Sequence, residues 1–331
     1  MSMDGGKFIA SGSYGCAFKK PVKCKNEANT VNNGVGKVFG RPEFADSEKV
    51  IMSKIKKIDP KFTWTLPLLH SCTVDKFKQS DDPDLCDHVV KDIRSYPQLI
   101  FKDGGVDLQA IIRKTHQLTQ DRKRKLFLSI FQSMVPVLHG LANLSDSNLI
   151  HLDLKPSNLL FDGKKLVVID FGLLTNSTEL YNKSKLSLLS YDYPYYPPEF
   201  KLYALNNPSY DMFRTSFQLN LKYHQQTEQE QQHMHNQLLR FHQIINSKNR
   251  RLKSKELGEE LETLIGKVDI YSLGVSLWYM YHMLCPSDNI YTFMCKTLID
   301  KMINVNPYER ICCQEALKEL EYMLKITGNF K

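Results

Sequence analysis

The octapeptide His151-Leu152-Asp153-Leu154-Lys155-Pro156-Ser157-Asn158 brings a carboxylate, an ammonium and an amide into one short stretch. Moving a phosphoryl group onto a hydroxyl needs those three functions: a carboxylate near the hydroxyl, an amide oxygen on a metal, and a cation against the charge of the moving group. Beyond it, Asp170-Phe171-Gly172 directly follows the apolar run Leu166 to Ile169. A carboxylate at a strand end before a flexible glycine suits a metal ligand, and magnesium takes one or two carboxylates together with phosphate oxygens. Asn158 and Asp170 are therefore the expected magnesium ligands. Near the N-terminus, Ala10-Ser11-Gly12-Ser13-Tyr14-Gly15 has glycines spaced to let backbone N–H groups approach phosphate oxygens. A tight hairpin would use the same glycines, and both readings stand.

The elements that must hold these residues fall into two groups. Over the first hundred residues the pattern is mostly strands: Phe8 to Ala10, Cys16 to Phe18, Val35 to Phe39, Leu66 to Leu69 and Leu99 to Phe101. A basic polar excursion, 19–33, and a charged loop, 75–92, interrupt them. One helix is expected from Glu43 to Ile58, with Ile51, Ile55 and Ile58 on one face and Pro60 closing it. After Gly104-Gly105 helical periodicity dominates, over Asp107 to His116 and Asp121 to Leu141, where Pro136 is expected to kink the second helix. Two short strands are expected near Leu159 to Phe161 and Leu166 to Ile169.

The polar, Gln- and His-rich stretch around 201–262 stands apart. Within it Met234, Leu238, Phe241 and Ile245 share one helix face. That face either packs on its own lobe or docks a partner. The basic run Lys248, Arg250, Arg251, Lys253 and Lys255 reads as a solvated loop, with a nuclear address or a patch for an acidic partner as the alternatives.

Composition bounds the answer. A chain of 331 residues with 42% hydrophobic residues can fill a large core, which excludes a disordered or collagen-like chain. The charge of +8 is too small and diffuse to indicate nucleic-acid binding. The apolar stretch Leu273 to Cys285 is too short for a membrane span, and residues 1–7 carry no apolar run, so no span and no secretory leader are expected. The eight cysteines form no C-x-x-C pair, and reduced, idle thiols in an intracellular, cytoplasmic protein are expected.

Taken together in order, the glycine-rich turn, Lys37 in Val35-Gly36-Lys37-Val38, Glu48 in Ser47-Glu48-Lys49-Val50-Ile51-Met52, the octapeptide, Asp170-Phe171-Gly172, Pro197-Pro198-Glu199 and Asp269-Ile270-Tyr271-Ser272-Leu273-Gly274 resemble a eukaryotic-type protein kinase. The resemblance runs over nearly the whole chain. It implies an α+β, two-lobed fold: a small antiparallel β lobe with one helix (1–102) and a larger, mainly helical lobe (103–331). It also implies ATP and Mg2+ as cofactors, and protein substrates with Ser/Thr acceptors. Ala10, Gly12, Ser13, Tyr14 and Gly15 would cover the nucleotide, and Lys37 would hold its α- and β-phosphates with Glu48 as partner. Glu43 is the rival partner. Asp153 would take the substrate hydroxyl's proton, Lys155 would contact the transferred phosphoryl, and Asn158 and Asp170 would hold magnesium. Asp269 resembles a buried anchor of the catalytic loop, and Arg310 a partner of Glu199.

The sequence departs from the family pattern in places. Leu152 stands where an arginine usually receives an activation-segment phosphate, and no arginine lies between Asp170 and Glu199. That implies activity independent of phosphorylation of this segment. Asp192 replaces a threonine near the segment's end, and the 201–262 insertion could take over partner docking. The insertions and trimming also look similar to kinases of large DNA viruses, which would mean a host cytoplasm or a virion. A pseudokinase acting as a binding module, or a kinase of a small molecule, are the alternatives.

Overall fold

The computed structural model describes residues 7–12, 14–25, 34–75, 86, 95–185, 193–197, 199–200, 227–249, 251, 253–285 and 289–330. Ser13, Asp192, most of the 19–33 and 75–92 loops, and the 201–226 part of the insertion lie outside them. The chain divides into two compact units, Met1–Gly105 and Val106–Lys331.

The first unit is a five-stranded antiparallel sheet carrying one helix. Strands β1 (Lys7–Ser11), β2 (Gly15–Lys19), β3 (Gly34–Phe39), β4 (Leu68–Asp75) and β5 (Ser95–Lys102) lie in the order β1-β2-β3-β5-β4. The turn between β1 and β2 closes with Gly12 N–H donating to the Gly15 carbonyl, 2.9 Å. Gly15 has a packing reason to be glycine as well: a Cβ there would sit 2.2 Å from the Val38 carbonyl oxygen. The hairpin is thus formed by the glycines that also suit a phosphate cradle. Helix α1 (Pro42–Ile58) starts with Pro42 in its first turn, where the missing N–H costs nothing. It buries Ala45, Met52 and Ile55.

Asp59, which caps α1, organises the chain after the helix. Its carboxylate, 3% exposed, accepts from the N–H and Oγ1 of Thr63, the N–H of Trp64, and the N–H and Oγ1 of Thr65, at 2.7–3.1 Å. Burial alone would raise the carboxyl, but these donors outweigh it and hold Asp59 below the usual carboxylate range.

The expectation of reduced thiols fails in this unit. Cys16 is bridged to Cys86, and Cys24 to Cys72. Spacing along the chain could not show this, because the partners lie 70 and 48 residues apart. The segment after β2 runs beside β4, with Lys25 N–H donating to the Thr73 carbonyl, and that brings Cys24 to Cys72. Buried Gln98 fixes the same segment: it accepts from Val22 N–H (2.9 Å) and donates to the Val22 carbonyl (2.8 Å). Cys285, Cys295, Cys312 and Cys313 remain thiols.

The second unit is helical with one small sheet, β6 (Val106–Asp107), β7 (Leu159–Phe161) and β8 (Leu166–Val168), in that order. Asp107 caps helix α2 (Leu108–Lys114) by accepting from Ala110 N–H. The expected single kinked helix is two, α3 (Gln120–Gln132) and α4 (Val135–Asp146). Pro136 falls in the first turn of α4, where proline is tolerated, rather than in a helix interior. By length and composition the stretch Gln120–Asp146 could cross a membrane, but half of it is buried inside the protein, as in a core helix.

Six further α-helices follow among the described residues: α5 (Ser177–Lys185), α6 (Glu228–Asn249), α7 (Ser254–Ile265), α8 (Val268–Leu284), α9 (Ile290–Met302) and α10 (Cys313–Ile326). The apolar face of α6 is not open to a partner. Met234, Leu238, Phe241 and Ile245 are buried in a cluster with Leu152, Leu180, Phe200, Leu261, Ile265 and Val305. Partner docking on the insertion through that stripe is therefore corrected: the stripe is core.

Asp59 has a depressed folded-state pKa, so its contribution to stability is present above the unfolded value and is lost as pH falls through the folded one. The urea-unfolding free energy of Asp59→Asn should lie below wild type at neutral pH. The gap should shrink once pH drops below about 4. A gap that stays constant into acid would show that the bonds do not depend on the carboxylate's charge.

Candidate functional site

In the first unit, antiparallel pairing sets Lys37 opposite Ala17 on one side and Leu99 on the other. Its ammonium lies 2.6 Å from a Glu48 carboxylate oxygen, with both side chains largely buried. Glu48 sits a turn and a half into α1, whereas the rival Glu43 lies in the first turn and is exposed. Tyr14 is held at the tip of the glycine turn by its ring on Phe44, 4.8 Å between centroids.

In the second unit, the octapeptide hangs from α8. Asp269 is 4% exposed, and its two carboxylate oxygens accept from His151 N–H (2.7 Å) and Leu152 N–H (2.9 Å). Burial pushes the Asp269 carboxyl up, while the nearby His151 and the two amides pull it down. Leu152 has φ +66°, a region bulky side chains rarely adopt, and the hydrogen bond its N–H donates to Asp269 holds it there. Its side chain enters the α6 cluster, so the position of the usual arginine has become core.

The His151 ring fixes the next residue. Its Nε2 faces the Ile169 carbonyl at 3.1 Å, which can only accept, so Nε2 carries the proton. Nδ1 is then free to accept from Asp153 N–H, 3.2 Å. Phe171 packs on the same ring, 4.7 Å between centroids, tying the Asp170-Phe171-Gly172 turn to the octapeptide.

Three side chains surround the Asp153 carboxylate. Asn158 Nδ2 donates to Oδ2 and to the Asp153 carbonyl, both 2.9 Å. The Lys155 ammonium lies 2.9 Å from Oδ2. The Tyr193 hydroxyl donates to Oδ1 at 2.5 Å. Asn158 spends its nitrogen on Asp153, leaving its amide oxygen as the atom for a cation. Asp170 is exposed, with φ +62°. An amide oxygen and a carboxylate form the hard-oxygen donor set that magnesium takes, so these residues fit the ion.

Three residues here had no role in the sequence reading. Ser272 Oγ donates to the Tyr195 carbonyl (2.7 Å) and Ser276 Oγ to the Leu154 carbonyl (3.2 Å). With Asp269 they form one polar stripe, at i, i+3 and i+7 of an otherwise apolar helix, and that stripe was the signal available. Tyr193, the third, lies in the run Tyr191-Asp192-Tyr193-Pro194-Tyr195-Tyr196, whose tyrosine density was its only mark. The expected pair of Glu199 and Arg310 is formed. The guanidinium makes two bonds, 2.7 and 2.9 Å, with both side chains fully buried, and stacks over Tyr271. Ser13 lies outside the described residues.

A model of the protein kinase domain matches residues 101–322. The chain is similar to Mitogen-activated protein kinase 11 of Arabidopsis thaliana, 26% identical over 54% of this chain and 48% of that protein. It is also similar to Mitogen-activated protein kinase 1 of Oryza sativa subsp. japonica, 27% identical over 53% and 44%. Against Mitogen-activated protein kinase 13 of Arabidopsis thaliana the identity is 33% over 27% and 25%. The chain thus spans about half or less of the length of these relatives. None of them bears on a likeness to viral kinases.

Removing one side of a buried, doubly bonded ion pair leaves the other charge without a partner, at a cost of ~3–5 kcal/mol. Arg310→Ala should lower the unfolding free energy by that amount in denaturant titration. A loss within experimental error would show that Glu199 is not confined by the pair.

Proposed function

The chain belongs to the protein kinase domain family, and from that premise we propose that it transfers the γ-phosphoryl group of ATP to serine and threonine hydroxyls of proteins. The observation that carries this reading is the Asp153 carboxylate, held by Lys155 and Asn158, with a hydroxyl already donating to its other oxygen. The acceptor class follows from Lys155 in the octapeptide and from the names of the relatives.

ATP with Mg2+ supplies the phosphoryl donor and the charge neutralisation that such transfer needs. The chain's residues do the rest. Asp153 accepts the proton of the acceptor hydroxyl through an oxygen kept in place by its neighbours. Lys155 offsets charge on the phosphoryl in flight. Lys37, aimed by Glu48, holds the nucleotide's α- and β-phosphates, and the turn from Ala10 to Gly15 covers them. Asn158 and Asp170 would hold the metal. Lys37, Asp153, Asn158 and Asp170 are all present and the Lys37–Glu48 pair is made, which speaks against a binding module without transfer activity.

Asp153→Ala should cut phosphate transfer to a generic basic protein substrate by ~10²–10⁴, and Asp170→Ala should cut it at least as far while raising the Mg2+ needed. Wild-type rates in both variants would remove the assignment. The clamp has its own test. Because Lys37→Met and Glu48→Gln act on the same contact, their effects on nucleotide binding should be non-additive in a double-mutant cycle. Strict additivity would mean that Glu48 does not aim Lys37.

A further inference from the structure

The first unit gathers three metal-ligating side chains that phosphoryl transfer does not use. Cys24 Sγ, a ring nitrogen of His70 and Cys72 Sγ all lie within 4.8 Å of one another. Strand geometry explains the meeting. His70 and Cys72 are two residues apart on β4, and side chains two apart share one face of a strand. The bond from Lys25 N–H to the Thr73 carbonyl, 2.7 Å, lays Cys24 beside that face. A second observation marks the same spot. Gln98 lies opposite Cys72 in the β4–β5 register, and Val22 locks its amide in one orientation, donating its N–H to Oε1 and accepting at its carbonyl from Nε2. The other Nε2 hydrogen faces both sulfurs, Cys72 at 3.5 Å and Cys24 at 3.9 Å. Disulfide sulfurs are weak acceptors and need no such donor. Two thiolates on a metal do need one, because an N–H aimed at them offsets their charge and fixes their direction.

We propose that Cys24, His70 and Cys72 form a zinc site when the Cys24–Cys72 bridge is reduced. The bridge takes two electrons and two protons from a dithiol, which is oxidised to its own disulfide, and each cysteine sulfur becomes a thiol. Zn2+ then binds both sulfurs and the His70 ring, and the two thiol protons pass to solvent. Two thiolates and an imidazole are donors that suit zinc and not magnesium or calcium. Tetrahedral zinc with Zn–S bonds of ~2.3 Å holds two sulfurs about 3.8 Å apart, a separation within reach of Cα atoms 5.9 Å apart. Cys24 is buried, but His70 and Cys72 are partly exposed, which gives the ion a way in and a water the fourth position. The segment after β2 is thereby tied to β4 in either state, by the disulfide in oxidising surroundings and by zinc in reducing ones. Motif spacing hides the site, because one ligand stands 46 residues before the other pair.

The test uses the whole chain, reduced with a phosphine, stripped of metal by a chelator and freed of both. It is titrated with Co2+ and then Zn2+, beside oxidised protein. The reduced chain should take up one equivalent of Co2+, with thiolate-to-cobalt absorption in the near ultraviolet that Zn2+ abolishes, and the oxidised chain should show none. Zn2+ should raise the Tm of the reduced wild type and leave that of reduced Cys24→Ser unchanged. His70→Ala should weaken Zn2+ binding by at least ~100-fold, the upper range for losing even an outer partner of a metal ligand. His70→Cys, which restores a ligand, should restore the uptake. Loss in both His70 variants means that His70 supports the fold and not the ion, and overturns the proposal. So does uptake that survives both Cys24→Ser and His70→Ala, equal uptake by the oxidised chain, or no uptake by the reduced one. None of these outcomes touches the kinase reading, which is tested by phosphate transfer.

Discussion

The octapeptide keeps its shape because Asp269 gives both carboxylate oxygens to two consecutive amides, those of His151 and Leu152. A buried carboxylate is costly unless fully bonded, so helix α8 and the loop hold each other in one arrangement. Within the same two turns of helix, Ser276 takes hold of Leu154 and Ser272 of Tyr195. One stripe of three short polar side chains therefore sets the backbone on both sides of Asp153. It sets the loop that carries the base and the segment end that carries Tyr193. Tyr271, on the neighbouring face, lies under the Arg310 guanidinium, so the Glu199 pair is seated on the same helix.

Leu152 ties the octapeptide to the cluster that buries the α6 stripe. Its left-handed backbone is set by Asp269, and its side chain lies in the cluster formed by α6 and its neighbours. An arginine there would have to bring a charge into a core of Leu238, Phe241 and Ile265, or turn away from it. Leu152 and the α6 stripe share one buried cluster.

What could be read in the sequence was set by range. Asp153, Lys155, Asn158 and Asp170 were legible because each sits in a short motif whose chemistry explains its spacing, whereas Lys37, Glu48, Asp269 and Arg310 were legible only through the family resemblance. The α6 stripe was legible as a stripe, but its partner was not, since periodicity gives a face and not what covers it. Pro136 marks a break in helical periodicity. Whether proline kinks a helix or starts one depends on a boundary that periodicity places only loosely. Tyr193 meets Asp153 across 40 residues of chain, and no local pattern encodes that meeting.

The two bridges extend the same point to the first unit. Cross-linking residues 48 and 70 apart removes much of the freedom of the unfolded chain, worth about 4 kcal/mol per bridge in the chain-entropy account. Their placement matters more than their number. Cys16 follows Gly15 on β2 and pairs with Val38, the neighbour of Lys37. Cys24 closes the segment that Gln98 already binds, and Gln98 lies opposite Val38 on β5. The Cys16–Cys86 bridge thus holds β2, which flanks Lys37, and the Cys24–Cys72 bridge ties the segment after β2 to β4, two strands away from β3. The sheet that carries Lys37 is thus closed by covalent and polar links between residues tens of positions apart in sequence.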